Sequence, residues 1–202
     1  MSAPRVQTVR LPYAPRRAFL PFHKRTQRWA CLVAHRRAGK TVAAVNDLIR
    51  AAITAQRPHA HYAYVAPYRS QAKSVAWDYL KRFAAPATAG VNEAELLLTT
   101  HTGAKIQLFG ADNADAMRGL GFDGVYLDEY GDFRPSVWGN VIRPTLSDRA
   151  GWAVIGGTPR AATSSTRPST PRSAAQTGSA CACRPAFRAS CRRPNCTRSA
   201  RS

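Results

Sequence analysis

A short loop between an apolar run and a helical repeat constrains the fold of this chain more than any other feature. The apolar run covers residues 29–33, the length of a strand that is covered on both faces of a parallel sheet. The loop follows at 34–41, and apolar residues then recur at helical spacing in Val42, Val45, Leu48, Ile49, Ala52 and Ile53. Strand, loop and helix in direct succession predict an α/β unit, in which ligands bind at the carboxyl ends of the strands.

The alternation continues along the chain. The patterns predict strands at 61–66, 124–127 and 152–155, and an antiparallel hairpin built from 95–100 and 104–109. We find no internal repeat. The series of strands predicts one sheet that is mainly parallel.

Two further helices are expected between these strands. One covers 71–84 after a turn at 67–70, and the other runs from Pro135 to about Leu146. The first should bury one face, formed by Val75, Ala76, Tyr79, Leu80 and Phe83. Together the elements indicate the α/β fold class.

The loop has the chemistry of a phosphate cradle. Backbone N–H groups and a helix N-terminus face a nucleoside triphosphate in such a loop, while Lys40 reaches phosphate oxygens and the Thr41 hydroxyl binds Mg²⁺. Ala34 stands where the usual pattern has its first glycine, which is tolerated if that position needs no positive φ. The alternative is an ordinary turn with a fortuitous Gly39-Lys40-Thr41. The loop also carries charged side chains that could sense the γ-phosphate or only face water: His35, Arg36 and Arg37.

Two carboxylates, Asp128 and Glu129, directly follow the predicted strand at 124–127. Phosphoryl transfer needs one carboxylate for Mg²⁺, usually through water, and one group that positions the attacking nucleophile. Asp128 suits the first role and Glu129 the second, although an ordinary surface loop could also carry such a pair. We expect this strand to lie beside the phosphate-loop strand.

A third loop closes the last predicted strand with Gly156, Gly157 and Thr158. Its small residues and hydroxyl could lie near the γ-phosphate and relay hydrolysis outward. The alternative is a plain Gly-Gly-Thr-Pro turn.

In this order, the segments resemble the ATPase domain of the large terminase subunit, the motor that packages double-stranded DNA into tailed-phage capsids. The resemblance covers about residues 15–160 and implies a P-loop NTPase fold of the ASCE/RecA-like type, a three-layer sandwich. It rests on Ala34-His35-Arg36-Arg37-Ala38-Gly39-Lys40-Thr41, Ala66-Pro67-Tyr68, Gly110-Ala111-Asp112-Asn113, Met117-Arg118-Gly119-Leu120, Asp123-Gly124-Val125-Tyr126-Leu127-Asp128-Glu129-Tyr130 and Gly156-Gly157-Thr158-Pro159.

The resemblance also implies roles. Residues 34–41 bind nucleotide as the Walker A segment, Asp128 and Thr41 hold the metal, and Glu129 is catalytic in the Walker B segment. Gly157 and Thr158 form the coupling segment.

Arg118 looks like a second catalytic group, a finger offered to the ATP of a neighbouring subunit. The alternative is a salt bridge with Asp112 or Asp115. The family often has a Gln for adenine before Walker A, where this chain has no clear Gln but carries Phe19, Phe22 and His23. Phe19 or Phe22 could stack on adenine or pack in the core.

By the same resemblance the cofactors are ATP and Mg²⁺, and hydrolysis drives DNA into the capsid. The implied partners are double-stranded DNA, the portal protein, the small terminase subunit and further copies of the chain in a ring, in the host cytoplasm. Two other functions stay open. One is a different nucleic-acid-dependent ATPase such as a helicase, which would need a second motor domain, and the other is an inert fragment that only binds nucleic acid.

The formal charge of +19 divides between two parts of unlike composition. Residues 160–202 contain nine Arg, no Lys and no acid. We therefore expect a basic lead-in at 1–28, the ATPase domain at 29–160 and a disordered basic tail at 161–202. The family's nuclease domain is expected to be absent, because no acid follows Asp148. A frameshift would explain this tail, and a genuine DNA-binding tail is the alternative.

Composition argues against several other classes of protein. No run is long and apolar enough for a membrane span or a signal peptide, so we expect a soluble, cytosolic protein. The four Cys of the tail have spacings that fit no common zinc site. Basic residues of the lead-in could contact DNA, a partner subunit or only water: Arg16, Arg17, Lys24, Arg25 and Arg28.

Overall fold

A seven-stranded sheet organises the computed structural model, which describes residues 9–159. The strand order is β1-β7-β6-β2-β5-β4-β3. Neighbours from β1 to β5 in this order run parallel, whereas β4 is antiparallel to both β5 and β3. The strands are β1 Trp29–Val33, β2 His61–Ala66, β3 Thr88–Asn92, β4 Leu97–Thr100, β5 Lys105–Gly110, β6 Gly124–Leu127 and β7 Trp152–Gly157. The predicted α/β class with a mainly parallel sheet is confirmed.

Three longer helical elements accompany the sheet. Helix α1 covers Lys40–Ile53 and follows the phosphate loop, as expected. Helix α2 is continuous from an α-helical Arg69–Ala72 through a π-helical Lys73–Trp77 into Asp78–Ala84. Helix α3 combines a π-helical Trp138–Ile142 with Arg143–Thr145, inside the predicted range. Shorter helical segments are Arg17–Phe19, Leu20–His23, Ala85–Ala87, Ala111–Met117 and Tyr130–Asp132.

The two faces of the sheet are both covered, which gives the predicted three-layer arrangement. Along β2, Tyr62 and Tyr64 belong to a hydrophobic cluster that includes α1 and α2. Ala63 and Val65, with the opposite orientation, belong to a second cluster that includes α3. Because successive side chains of a strand point to opposite faces, strands buried on both sides read as continuous apolar runs.

The strand order corrects one expectation. Strand β6, which carries the acidic pair, does not lie beside the phosphate-loop strand, because β7 pairs with β1 on one side and with β6 on the other. The third loop is thereby placed between the phosphate loop and the acidic pair. Strand β3 was not predicted, since its residues are mostly exposed and include Gly90 in mid-strand.

Helix α2 differs from its prediction in two ways. It begins at Arg69 rather than at 71, since the Arg69 backbone N–H donates to the Asp112 carboxylate, a contact between distant segments. Its buried face was also partly wrong: Val75 and Tyr79 are 38% and 40% exposed, while Trp77 is buried. The π-helical turn explains the change, because its i→i+5 hydrogen bonds shift the register between the helix and the sheet.

The described part of the lead-in packs on the domain. Phe19 and Phe22 are buried in the cluster that covers α1. The predicted tail at 161–202 lies outside the described residues. No helix within residues 9–159 is long and apolar enough to cross a membrane.

Candidate functional site

The phosphate loop connects β1 to the N-terminus of α1. Its positive φ angles occur at Arg37 (63°) and Gly39 (100°), and Ala34 has none. An alanine at the first position of the pattern is therefore compatible with this loop, as expected. The loop ends at the N-terminus of α1. There, unpaired backbone N–H groups and the positive end of the helix dipole favour the binding of an anion.

Lys40 lies in the first turn of α1 and is only 8% exposed. Its Nζ donates to the Ala34 carbonyl at 2.8 Å and to the Thr158 hydroxyl at 2.9 Å, and lies 3.8 Å from Glu129 Oε1. A buried ammonium group requires such partners, because its desolvation is costly. Lys40 thus joins all three predicted loops in one network.

Glu129 is held firmly at the end of β6. The Thr158 hydroxyl donates to its Oε1 at 2.6 Å, and the Thr158 backbone N–H donates to its Oε2 at 3.1 Å. The Glu129 backbone has a φ of 46°, in the left-handed region that residues other than glycine seldom adopt. Strained backbone of this kind concentrates at functional sites, where surrounding contacts maintain it.

Asp128 points into the site from the same loop and is 5% exposed. The Tyr64 hydroxyl donates to its Oδ2 at 2.6 Å, and its backbone N–H donates to the Val65 carbonyl. Burial raises the pKa of Asp128, and the charge of Glu129 adds to this, while the Tyr64 hydrogen bond and the charge of Lys40 oppose it. The charged form of Asp128 is therefore less favourable in the folded protein than in water.

These oxygen atoms suit a hard cation. A hydroxyl from Thr41 and a carboxylate from Asp128 are the ligands that P-loop proteins offer to Mg²⁺, which keeps several waters. Among residues 9–159, no group of three or more His, Cys, Asp or Glu side chains could hold a metal by itself. The chemistry of these two oxygen donors fits a magnesium ion that takes its other ligands from outside the protein.

Some predicted residues do not join this network. Arg118 is 61% exposed and its Nε donates to the Asp115 carboxylate, one of the two salt bridges foreseen as alternatives. Asp112 instead accepts the N–H of Arg69. The remaining charged loop side chains, His35, Arg36 and Arg37, are exposed.

The aromatic residues of the lead-in pack rather than offer a stacking surface. Phe19 is 6% exposed and Phe22 is 3% exposed. His23 contacts the buried Asp47 through Nδ1 at 3.2 Å. The two alternatives for Phe19 and Phe22 were stacking on adenine and burial in the core. Both side chains are buried in the core.

Two contacts of the site were missed by sequence reasoning. Tyr64 contacts Asp128 from the middle of β2, where its only signal is a polar atom on an apolar strand. Arg16 donates to the Ala38 carbonyl at 3.0 Å and so reaches the phosphate loop from the lead-in. Nothing in the sequence pattern singles out Arg16 from its basic neighbours.

Comparison with known proteins gives one family match. A family model described as the N-terminal part of the T4likevirus-type terminase large subunit matches residues 31–178. The terminase large subunits of Thermus phage G20c and Thermus virus P23-45 are each 50% identical over 50 residues. That stretch is 25% of this chain and only 10% of either relative.

Solved structures show the same fold. The large terminase ATPase domain of Thermus phage P74-26 is 28% identical, with a TM-score of 0.63, and the match covers 74% of this chain and 67% of that one. A large terminase from another thermophilic bacteriophage matches at 16% identity and a TM-score of 0.59, over 69% of this chain and 37% of that one. The same terminase has been solved with ADP and with ATP-gamma-S, at TM-scores of 0.51 and 0.54.

Proposed function

Since this chain belongs to the terminase large subunit family, as an N-terminal segment of the T4likevirus type, we propose that its domain at 29–160 binds and hydrolyses ATP. The observation that carries the proposal is the network in which Lys40 and Thr158 meet Glu129. It unites the phosphate loop, the acidic pair and the third loop at one edge of the sheet. The ADP and ATP-gamma-S complexes of a related terminase support nucleotide as the ligand.

Each residue has a distinct task in this proposal. Backbone N–H groups of 34–41 and the ammonium of Lys40 bind the phosphates and stabilise charge that develops during transfer. Thr41 and Asp128 hold Mg²⁺, which neutralises phosphate charge when bound. Glu129 orients the attacking water and accepts its proton, a role that needs a carboxylate held in place.

Thr158 provides the coupling that was predicted for Gly157 and Thr158. It bonds to Lys40 through its hydroxyl and to Glu129 through both its hydroxyl and its N–H. A movement of the Lys40 or Glu129 side chain would therefore displace Thr158, which directly follows β7. Arg118 pairs with Asp115, and both side chains are exposed. In this proposal Arg118 leaves that pair to act on the ATP of a second subunit.

The work done by hydrolysis is, in this proposal, movement of double-stranded DNA into a capsid in the host cytoplasm. The chain acts in a homo-oligomeric ring with the portal protein and the small terminase subunit. The family membership supports this assignment.

ATP turnover by the full chain tests the proposal. Lys40→Ala should lower turnover by about a hundredfold because it removes phosphate charge stabilisation. Glu129→Gln should lower it by about 10²–10⁴-fold because it removes the group that accepts the proton.

The matched control is Glu95→Gln, an exposed carboxylate that precedes β4 on the far side of the sheet. It should leave turnover unchanged. Turnover that is insensitive to both Lys40→Ala and Glu129→Gln would discard the site, and an inert chain would favour a fragment that only binds nucleic acid.

A further inference from the structure

One buried hydroxyl contacts the carboxylate that is assigned to Mg²⁺. Tyr64 is 1% exposed, and its hydroxyl donates to Asp128 Oδ2 at 2.6 Å. Tyr64 lies on β2 and thus contacts the carboxylate that follows the neighbouring strand β6.

The direction of this hydrogen bond follows from the chemistry of the two groups. A phenol has one O–H, and a carboxylate only accepts, so the Tyr64 proton goes to Asp128. The bond occupies Oδ2 and leaves Oδ1 of Asp128 for another partner.

The Tyr64 ring is fixed by packing. It stacks on Tyr126 with ring centroids 5.4 Å apart and an interplanar angle of 28°. The Tyr126 hydroxyl, in contrast, has no hydrogen-bond partner among the described residues. Of these two neighbouring buried tyrosines, Tyr64 is the one whose hydroxyl makes a 2.6 Å hydrogen bond to Asp128.

We propose that Tyr64 is a positioning residue of the magnesium site: its hydroxyl orients the Asp128 carboxylate before the ion arrives. This inference rests on the proposed nucleotide function. Groups that orient metal ligands without touching the ion commonly contribute about 10–100-fold to metal affinity. Tyr64 should therefore matter for nucleotide bound with Mg²⁺ and not for nucleotide bound without it.

The test is the affinity of the full chain for ADP, measured by titration calorimetry in excess Mg²⁺ and again in EDTA. The ratio of the two dissociation constants is formed within each variant, so a partly inactive preparation does not change it. Tyr64→Phe should lower the gain in affinity that Mg²⁺ provides by about tenfold and leave the EDTA value within twofold of wild type. The matched control, Tyr62→Phe, removes a hydroxyl two residues earlier on the same face, which donates to the Ala51 carbonyl at 3.1 Å.

Tyr62→Phe should keep the wild-type gain from Mg²⁺. The inference is overturned if Tyr64→Phe keeps it too, or if both affinities fall together as expected from general destabilisation. In a chain that already carries Asp128→Asn, adding Tyr64→Phe should reduce the gain in ADP affinity from Mg²⁺ only slightly further. If Tyr64→Phe reduces this gain as much in that background as in wild type, the inference is also overturned. A wild-type chain that binds no ADP would instead refute the proposed function itself, whereas ADP binding without any effect of Mg²⁺ would refute only the positioning role.

Discussion

Gly156 shows how closely single residues fit around the site. A Cβ at this position would lie 2.2 Å from the Tyr126 hydroxyl oxygen and 3.1 Å from the Leu127 carbonyl oxygen. Gly156→Ala should therefore destabilise the protein by about 1–3 kcal/mol through overpacking. Urea unfolding measures the change. Gly157→Ala is the control, since nothing lies within 4 Å of its Cβ position.

The clash at Gly156 can be relieved from the other side. Tyr126→Phe removes an oxygen that has no hydrogen-bond partner among the described residues, so it should cost little alone. Combined with Gly156→Ala, it should restore only part of the lost stability, because the ring carbon Cζ of residue 126 would still lie 2.7 Å from the new Cβ. A double variant that is no more stable than Gly156→Ala would show that the hydroxyl is not the obstacle.

At the same scale, the sequence predicts the residues whose chemistry is tied to a local pattern. The structure brings into contact three side chains that each lie in or beside a loop after a recognisable strand: Lys40, Glu129 and Thr158. Tyr64 could not be predicted, because its contact with Asp128 joins two strands that lie far apart in the chain. Their proximity exists only in the folded sheet.

At the scale of elements, the buried Asp47 of α1 anchors the lead-in. Its carboxylate contacts Arg25 at 2.6 Å, Arg50 at 3.1 Å and His23 at 3.2 Å. Burial raises the pKa of Asp47, but the hydrogen bonds of His23 and Arg25 and the nearby charges outweigh it, so the pKa is lowered from 3.8. Asp47→Asn should cost about 3 kcal/mol at pH 7, because Arg25 loses its partner in a largely buried position.

The cost should depend on pH in a defined direction. A carboxyl whose folded pKa is lowered stabilises the protein above its unfolded value of 3.8 and loses this contribution as pH falls through the folded value. The difference between wild type and Asp47→Asn should therefore shrink below about pH 4, in urea unfolding followed by Trp fluorescence. Asp78→Asn, with a side chain 87% exposed, should change stability by less than about 0.5 kcal/mol at either pH. An Asp47 effect that is equally large at low pH would contradict the ion-pair explanation.

Elements also mark where local patterns fail. The strands at 29–33 and 61–66 match their predictions in full, because continuous apolar runs are an unambiguous local signal. The predicted start and buried face of α2 were wrong, because a 3.6-residue repeat contains no information on either cause. Asp112 accepts a hydrogen bond from Arg69 at the start of the helix, and the π-helical turn changes which residues face the sheet. The insertion of β7 between β1 and β6 is likewise a property of the sheet and not of any segment.

For the whole molecule, charge is the property with the widest effect. The nine Arg of residues 160–202 have no acid among them, whereas residues before them carry all the acids of the chain. If these Arg bind phosphates, the full chain should bind double-stranded DNA with a steeper salt dependence than a chain ending at 159. The log–log slope should differ by about 0.9 for each phosphate that the Arg side chains neutralise. Fluorescence anisotropy over a range of salt concentrations measures both slopes, and equal slopes would assign DNA binding to the domain itself.

Every proposed role depends on nucleotide phosphates lying on the loop between β1 and α1, and hydrogen–deuterium exchange with added ADP and Mg²⁺ tests this most directly. The amides of Gly39, Lys40 and Thr41 should exchange at least several-fold more slowly with nucleotide bound. The amides of His61, which begins β2, and of Asp123, which directly precedes β6, should not change their exchange rates. Both residues lie at the N-terminal ends of their strands, away from the loop. Unchanged exchange in the loop, or protection confined to another part of the chain, would contradict the assignment of this site.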